Sequence, residues 1–390
     1  MNPGALAPIL DRANVVGIGE SAHFVSQFSA ARSFLIRHLV ERYGYGVICL
    51  ECSHYQAERV NEWLQSSDSI DEISTYCGPL TRGLYGSVLE WLKRYVESTG
   101  KKVEFLGMDI PNALTPKREC EALIEQWQAI DPHVEARLKA LGKLLEDVEG
   151  ESAVVTATKW GEIDRANRDR AVSITCSLRL RLKALAPIYV ERGEPDKLTT
   201  LSDTLRTVQY TLEALSAMNA LFEGKSIEAE TSARDYFMAQ SVVKYLNRCP
   251  DAKVMVLAHN NHIQKEPVVF SGELAGVPMG QHLFDFLPGY RAIALTHVGE
   301  TVPEMNFPDS ESPVGFSVTQ TNAAEIGDES VERLYSLSEG DEDYQLLALD
   351  REQRSNSIRS QSSTEDVEVS RAFDAVICAP QATKDGAVEY

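Results

Sequence analysis

The sequence predicts an α/β fold: a mostly parallel sheet flanked by helices, with a helical lobe inserted into it. Three observations predict it. Six short apolar runs read as buried strands, at residues 14–19, 45–50, 103–108, 253–258, 290–298 and 373–379, each bounded by turn residues. Amphipathic stretches lie between the early runs. The interval from Asp109 to Lys253 carries almost no strand signal and repeats apolar residues at helical spacing.

Taken in chain order, "NVVGIG" is continuously apolar, which suits a parallel strand covered on both faces. Residues 26–43 place Phe28, Ala31, Leu35 and Leu39 on one stripe and read as a helix. "YGVICL" is the second strand, and 56–65 and 85–97 read as shorter helices. "VEFLGM" is the third strand. Four helices are expected over 117–248, with Trp160, Ile163, Ala171, Ile174, Leu178, Leu182 and Leu185 in register. The break "APIYVERGEPDK" (186–197) favours a bundle over a coiled coil. Residues 1–116 and 249–390 then form the α/β core, and 117–248 the inserted lobe. The polar stretches 336–345 and 350–368 read as loop-rich surface.

Composition narrows the function classes. Hydrophobic residues make up 43% and charged residues 25%, the profile of a globular protein. Net charge is −20, which disfavours nucleic acid and anionic membranes as partners and suits a neutral or cationic small molecule. No run is long enough to span a bilayer, and the first residues lack a basic start and an apolar core, so a cytoplasmic protein is expected. Seven scattered cysteines suit a reducing compartment. Cys49 and Cys52 read C-x-x-C, but an odd offset along a strand end sends them to opposite faces.

The strand ends carry the chemistry. Glu20 follows the first strand, Glu51 the second, Asp109 the third and His259 the fourth. Ligands of open parallel sheets sit outside the carboxyl ends of the strands, so four distant regions converge on one rim. In "GIGESAHF", two glycines permit a tight exit and His23 follows Glu20 by three. Arg32, nine residues after His23, would face the opposite way on one uninterrupted helix. A shared site therefore requires the helix to begin after His23, with Ser26 as its N-cap. In "AHNNHIQK", His259 and His262 share a face if a helical turn starts there.

Two chemistries use the set Glu20, His23, Arg32, Glu51, His259 and His262. A histidine acts as general base on water while a carboxylate fixes its tautomer and cations meet the oxyanion. Alternatively the same residues bind divalent metal in a metal-dependent hydrolase. No G-x-S-x-G elbow, H-E-x-x-H or P-loop is present, and "GIGESA" departs from the dinucleotide fingerprint, so no organic cofactor is expected. Asp109, Arg234, Tyr85 and Met279 are candidates for lining a substrate pocket. Asp109 also reads as a turn residue, Arg32 as a cation that neutralises buried acids, and Arg234 and Asp235 as a pair with each other.

"GIGESAHF" with Arg32 after it, then "LE" (50–51), "GMDIPN", "RDYFMA" and "LAHNNHIQK", resembles the erythromycin esterase family, with further matches at "WLKRY", "FSGELAGVPMGQHL" and "GFSV". The resemblance runs from about residue 14 to the C-terminus. It implies an α/β core with a helical lobe, and hydrolysis of the lactone ester of fourteen-membered macrolides, which inactivates the antibiotic. It places the family's catalytic histidine on His23, its motif glutamate on Glu20, its arginine on Arg32, its second glutamate on Glu51 and its histidine pair on His259 and His262. His54 stands where a smaller residue is expected and would alter the pocket. The expected mechanism is direct attack by water: His23 takes the proton, Glu51 orients, Glu20 assists, His262 and Arg32 meet the carbonyl oxygen, and His259 supports the site.

Overall fold

A computed structural model describes residues 3–69, 72–73, 76, 79–192, 195–307, 311–312, 314–335, 344–347, 349 and 355–386, with the side chains of 3 and 79–87 outside that description. Its centre is a seven-stranded sheet of β1 (Val15–Ile18), β2 (Val47–Leu50), β3 (Glu104–Gly107), β4 (Val254–Leu257), β7 (Tyr290–His297), β10 (Gln345–Leu347) and β13 (Ala375–Ala379). Three two-stranded hairpins accompany it: β5 (Val268–Phe270) with β6 (Glu273–Gly276), β8 (Thr301–Asn306) with β9 (Ser317–Asn322), and β11 (Ser357–Ser360) with β12 (Ser363–Asp366). The sheet order is β10-β13-β7-β1-β4-β2-β3, and every pairing is parallel except β10 with β13.

Period-two alternation explains the continuous apolar runs. Ile48 and Leu50 of β2 join the apolar core on one face, while Val47 and Cys49 join the core on the other. Cys49 and Cys52 are likewise split between the two cores, and both are free thiols. The helices Ser26–His38 and His54–Gln65 bury Phe28, Leu35, Val60 and Trp63 on the first face. The helices Ser232–Arg248 and Met279–Phe286 bury Met238, Val242 and Leu283 on the second. No helix among the described residues is long and apolar enough to cross a membrane.

Register sets the rim. Ile18 pairs with Leu257 on one side and Ile293 on the other, and Leu50 pairs with both Leu257 and Gly107. β1, β2, β3 and β4 therefore end at one level, and the residues that follow them emerge together. All six expected strands are present. β10 and the hairpins are additions, and β11–β12 lies inside the stretch expected to be loop. Ser271 and Gly272, at φ 52° and 78°, form the tight β5–β6 turn whose twist matches its strands.

The 117–248 interval contains seven α-helices among the described residues rather than four: Lys117–Gln128, Glu135–Glu146, Ala153–Glu162, Arg165–Ala184, Ala186–Glu191, Pro195–Phe222 and Ser232–Arg248. Side-chain caps divide them. Ser152 and Asp164 accept from the backbone N–H three residues on, starting new helices where the periodicity alone runs through. The break at 186–197 is itself partly helical, because Pro187 sits in a first turn that needs no N–H. The first six helices bury Trp127, Trp160, Leu178, Tyr189 and Leu205 in a core of their own, to which Ser232–Arg248 gives Phe237 while it packs mainly against the sheet.

One buried acid outside the rim predicts a pH response. Glu365 of β12 is fully buried and accepts from Gln264 Nε2 at 2.6 Å. Burial pushes its carboxyl from 4.5 up to about 8. The folded chain holds this proton where the unfolded chain releases it, so stability is full below 4.5 and declines as pH rises through about 8. Glu365→Gln is expected to flatten that decline and raise Tm at pH 8.5, read by thermal melts across pH.

Candidate active site

The chain leaves β1 through Gly19. A Cβ there would fall 2.0 Å from Asn260 Oδ1, so only glycine lets the two segments touch. Asn260 is buried, donates to Leu295 O at 2.9 Å, and its backbone N–H donates to Glu20 O at 2.8 Å. This clamp docks the one-turn helix Asn260–Ile263 on the end of β1 and brings both histidine motifs together. His259 is that helix's N-cap: its Nδ1 accepts from Asn261 N–H at 3.2 Å. Its Nε2–H therefore donates to Ser21 O at 2.9 Å. Burial, then the charges of His23 and His262, press its pKa to about 3, so it is a neutral strut.

The helix after β1 begins past His23, as a shared site requires. Ser26 is not its cap. Val25 occupies that position with no side-chain bond, and Ser26 N–H donates to Thr383 O at 2.9 Å from the far end of the chain. Phe24 turns the chain at φ 61°, a strained value for a bulky residue, held by stacking on Phe316.

That turn sets His23 Nδ1 2.8 Å from Glu20 Oε1, and Arg32 Nη1 lies 2.6 Å from Glu20 Oε2. Burial raises the Glu20 carboxyl, but the Arg32 charge and the bonds from His23 and Arg32 win, and its pKa falls to about 2. Burial lowers His23, but the bond and charge of Glu20, and then the charge of Glu51, more than offset it and raise the imidazole. His23 Nδ1–H thus donates to a permanent carboxylate, leaving Nε2 as the atom that takes a proton. Arg32 is 4% exposed on the core side of Glu20. Of the two roles expected of it, neutralising a buried acid is the one this bond fits: Nη1 pairs with Glu20 on a buried face of the helix.

Across the rim, His262 Nδ1 lies 2.7 Å from Asp235 Oδ1 and its Nε2 3.5 Å from Glu51 Oε1. Asp235 Oδ1 also accepts from Met279 N–H at 2.9 Å. Burial lowers His262, but the charge and bond of Asp235 and the charge of Glu51 raise it. Arg234 donates to both oxygens of Asp109, through Nε at 3.0 and 3.1 Å, and its Nη2 lies 4.0 Å from Glu51 Oε1. The rings of His23 and His259 meet edge to face at 5.3 Å, joining the two halves.

The remaining expectations divide. Asp109 and Arg234 belong to the rim, but Arg234 pairs with Asp109 and not with Asp235. Adjacent helical residues diverge by about 100°, so each finds a different partner. Met279, expected at a pocket wall, is fully buried in the core, and its backbone N–H donates to Asp235. Tyr85 lies outside the described residues as regards its side chain. His54 is held by Glu58, Nε2 to Oε1 at 3.0 Å, beside Arg206 and Arg248. Asp235, read in the sequence only as a partner of Arg234, bonds His262 and Met279 N–H at the rim instead. Among the described residues, no group of three or more His, Cys, Asp and Glu side chains is placed to hold a metal ion.

This rim occurs in a chain whose residues 40–382 match the family model for erythromycin esterase. The chain belongs to the erythromycin esterase family. It is 44% identical to erythromycin esterase type I of Escherichia coli, over 98% of this chain and 94% of that protein. It is 26% identical to erythromycin esterase type II of Escherichia coli, over 95% and 90% respectively. A solved mutant of the erythromycin esterase EreC in its open conformation superposes with a TM-score of 0.94 at 43% identity, covering 99% of this chain and 95% of that one. The α/β architecture is thus that of an erythromycin esterase.

Proposed function

We propose that this member of the family hydrolyses the lactone ester of erythromycin-type macrolides by direct attack of water, so inactivating the antibiotic. The observation that carries this reading is the bond from His23 Nδ1 to Glu20, backed by Arg32, which reserves Nε2 for proton transfer. Water gives a proton to Nε2 as its oxygen adds to the lactone carbonyl. Glu51, beside both His262 and Arg234, orients the water. His262, kept cationic between Asp235 and Glu51, donates to the oxyanion. Collapse breaks the ester C–O bond, and the proton on His23 passes to the departing alkoxide. The products are a carboxylic acid and a hydroxyl on one opened chain. Six free cysteines among the described residues fit the reducing cytoplasm in which we place the enzyme.

Incubation with erythromycin is expected to yield a product one water heavier by mass spectrometry. Unchanged macrolide in the presence of folded protein contradicts the reading. Asp235→Asn keeps an acceptor for Met279 N–H but removes the charge that holds His262 cationic. It is expected to lower kcat by about tenfold to a hundredfold and to move the alkaline limb of the pH profile down. A change in kcat with an unmoved limb would make Asp235 merely structural.

A further inference from the structure

Beside the rim lies a second feature that the chemistry above does not use. A groove of about 150 Å³ runs between the turn after Asp109, the C-terminal half of the helix Pro195–Phe222 and the first turn of Ser232–Arg248. Ile110, Leu114, Ala214, Ala217 and Met218 make its walls apolar, and Arg234 closes its inner end. Arg234 is also the residue that pairs with Asp109 and approaches Glu51, so groove and rim are continuous. Leu114 stands at φ 55° while 4% exposed, a strained backbone fixed at the wall itself. The outer lip is apolar too: Leu221 lines the groove at 54% exposed, and Phe222 and Ile227 near it in the chain are 50% and 71% exposed. Apolar side chains so exposed beside a catalytic rim mark a binding surface.

Two carboxylates stand in this apolar lining, Glu213 and Glu230. Glu230 Oε2 accepts from Ile227 N–H at 3.2 Å, which fixes it in place. Arg234, the cation at the inner end, is already neutralised by Asp109. The groove therefore offers methyl-rich walls and a negative edge with no ion pair to a cation among the described residues.

We infer that this groove seats the amino sugar of the macrolide, its methyl groups against Ala214, Ala217 and Met218 and its protonated tertiary amine between Glu213 and Glu230. This rests on the macrolide reading and deepens it. A space of this size holds one deoxysugar, not a fourteen-membered ring. The lactone then lies across Arg234 towards His23 and His262, so the groove sets which ester reaches the base.

The test compares erythromycin with its N-oxide, which keeps the shape and loses the net positive charge. Steady-state hydrolysis and equilibrium dialysis are run on the wild type, on Glu213→Gln/Glu230→Gln and on Ala214→Phe. The wild type is expected to favour the amine in kcat/KM by about twofold to tenfold, the range of partly exposed ion pairs, and the double variant to lose that preference. Ala214→Phe is expected to raise KM for erythromycin about tenfold or more, because it fills space that buries apolar sugar. Leu221→Ser, at an exposed lip position, reports in the same direction should Ala214→Phe fail to fold. A retained amine preference in the double variant, with unchanged KM in the groove variants, overturns the groove while ring opening by the wild type leaves the macrolide reading standing. Wild-type binding that the variants abolish, without hydrolysis, upholds the groove and removes the hydrolytic reading. No binding overturns both. A dimer that seals the groove, dissolved by Leu221→Ser, also overturns it.

Discussion

Replacing His23 by alanine is expected to lower kcat/KM for macrolide hydrolysis by about a hundredfold to ten-thousandfold, the span of a lost general base. The fold should survive, because His23 is partly exposed and its loss leaves Glu20 still paired with Arg32. The pH profile carries a second signature. Glu20 and Glu51 raise His23 above the ordinary imidazole value of 6.5, and only neutral imidazole takes a proton from water. The acid limb of kcat/KM is therefore expected above 6.5. Glu20→Gln removes the bonded charge and should move that limb down. Near-wild-type turnover by His23→Ala would reject the assignment of the base.

The largest expected effect on stability belongs to Arg32. Leucine at this position leaves the Glu20 carboxylate buried without its guanidinium, a loss of about 3–5 kcal/mol for a broken buried pair. Glu20 is 3% exposed, so solvent does not take the place of the lost cation. Its folded pKa of about 2, against the usual 4.5, means that its stabilisation is present above 4.5 and lost as pH falls through about 2. Without Arg32 that pKa rises, so acid unfolding should begin at higher pH. The double variant Arg32→Leu/Glu20→Gln is expected to recover much of the stability and none of the activity. Thermal and acid melts beside turnover separate these outcomes. Equal melts for Arg32→Leu and the wild type would contradict a structural ion pair.

The rim was legible because a buried parallel strand must be apolar along its length and can turn polar only where it ends. Glu20, Glu51, Asp109 and His259 stood out for that reason, and the matching register of β1 to β4 places them at one level. The need for a helix start after His23 was equally readable from angular spacing. Its means were not: the first N–H of that helix is taken by Thr383, more than three hundred residues away. Separation along the chain also hid the partners of Arg234 and Asp235, which lie 125 and 27 residues away. Charge identity shows that each needs a counter-ion, while the fold decides that Asp109 takes one and His262 the other. For Arg32 the sequence left two roles open, because helical spacing does not say which acid a buried cation meets; the fold pairs it with Glu20. The hairpin β11–β12 escaped notice because serine and other polar residues dominate it, and its buried Glu365 finds its partner in Gln264 after the one-turn helix.

The central claim is that water, activated on His23, adds directly to the ester carbonyl. Single-turnover hydrolysis in water enriched in oxygen-18, with enzyme in excess over macrolide, tests it most directly. Direct attack by water places one heavy oxygen in the new carboxyl group in the first turnover. First-turnover product carrying only ordinary oxygen, with the label reaching a protein carboxylate such as Glu51 or Glu20, would show a covalent acyl intermediate and contradict the account.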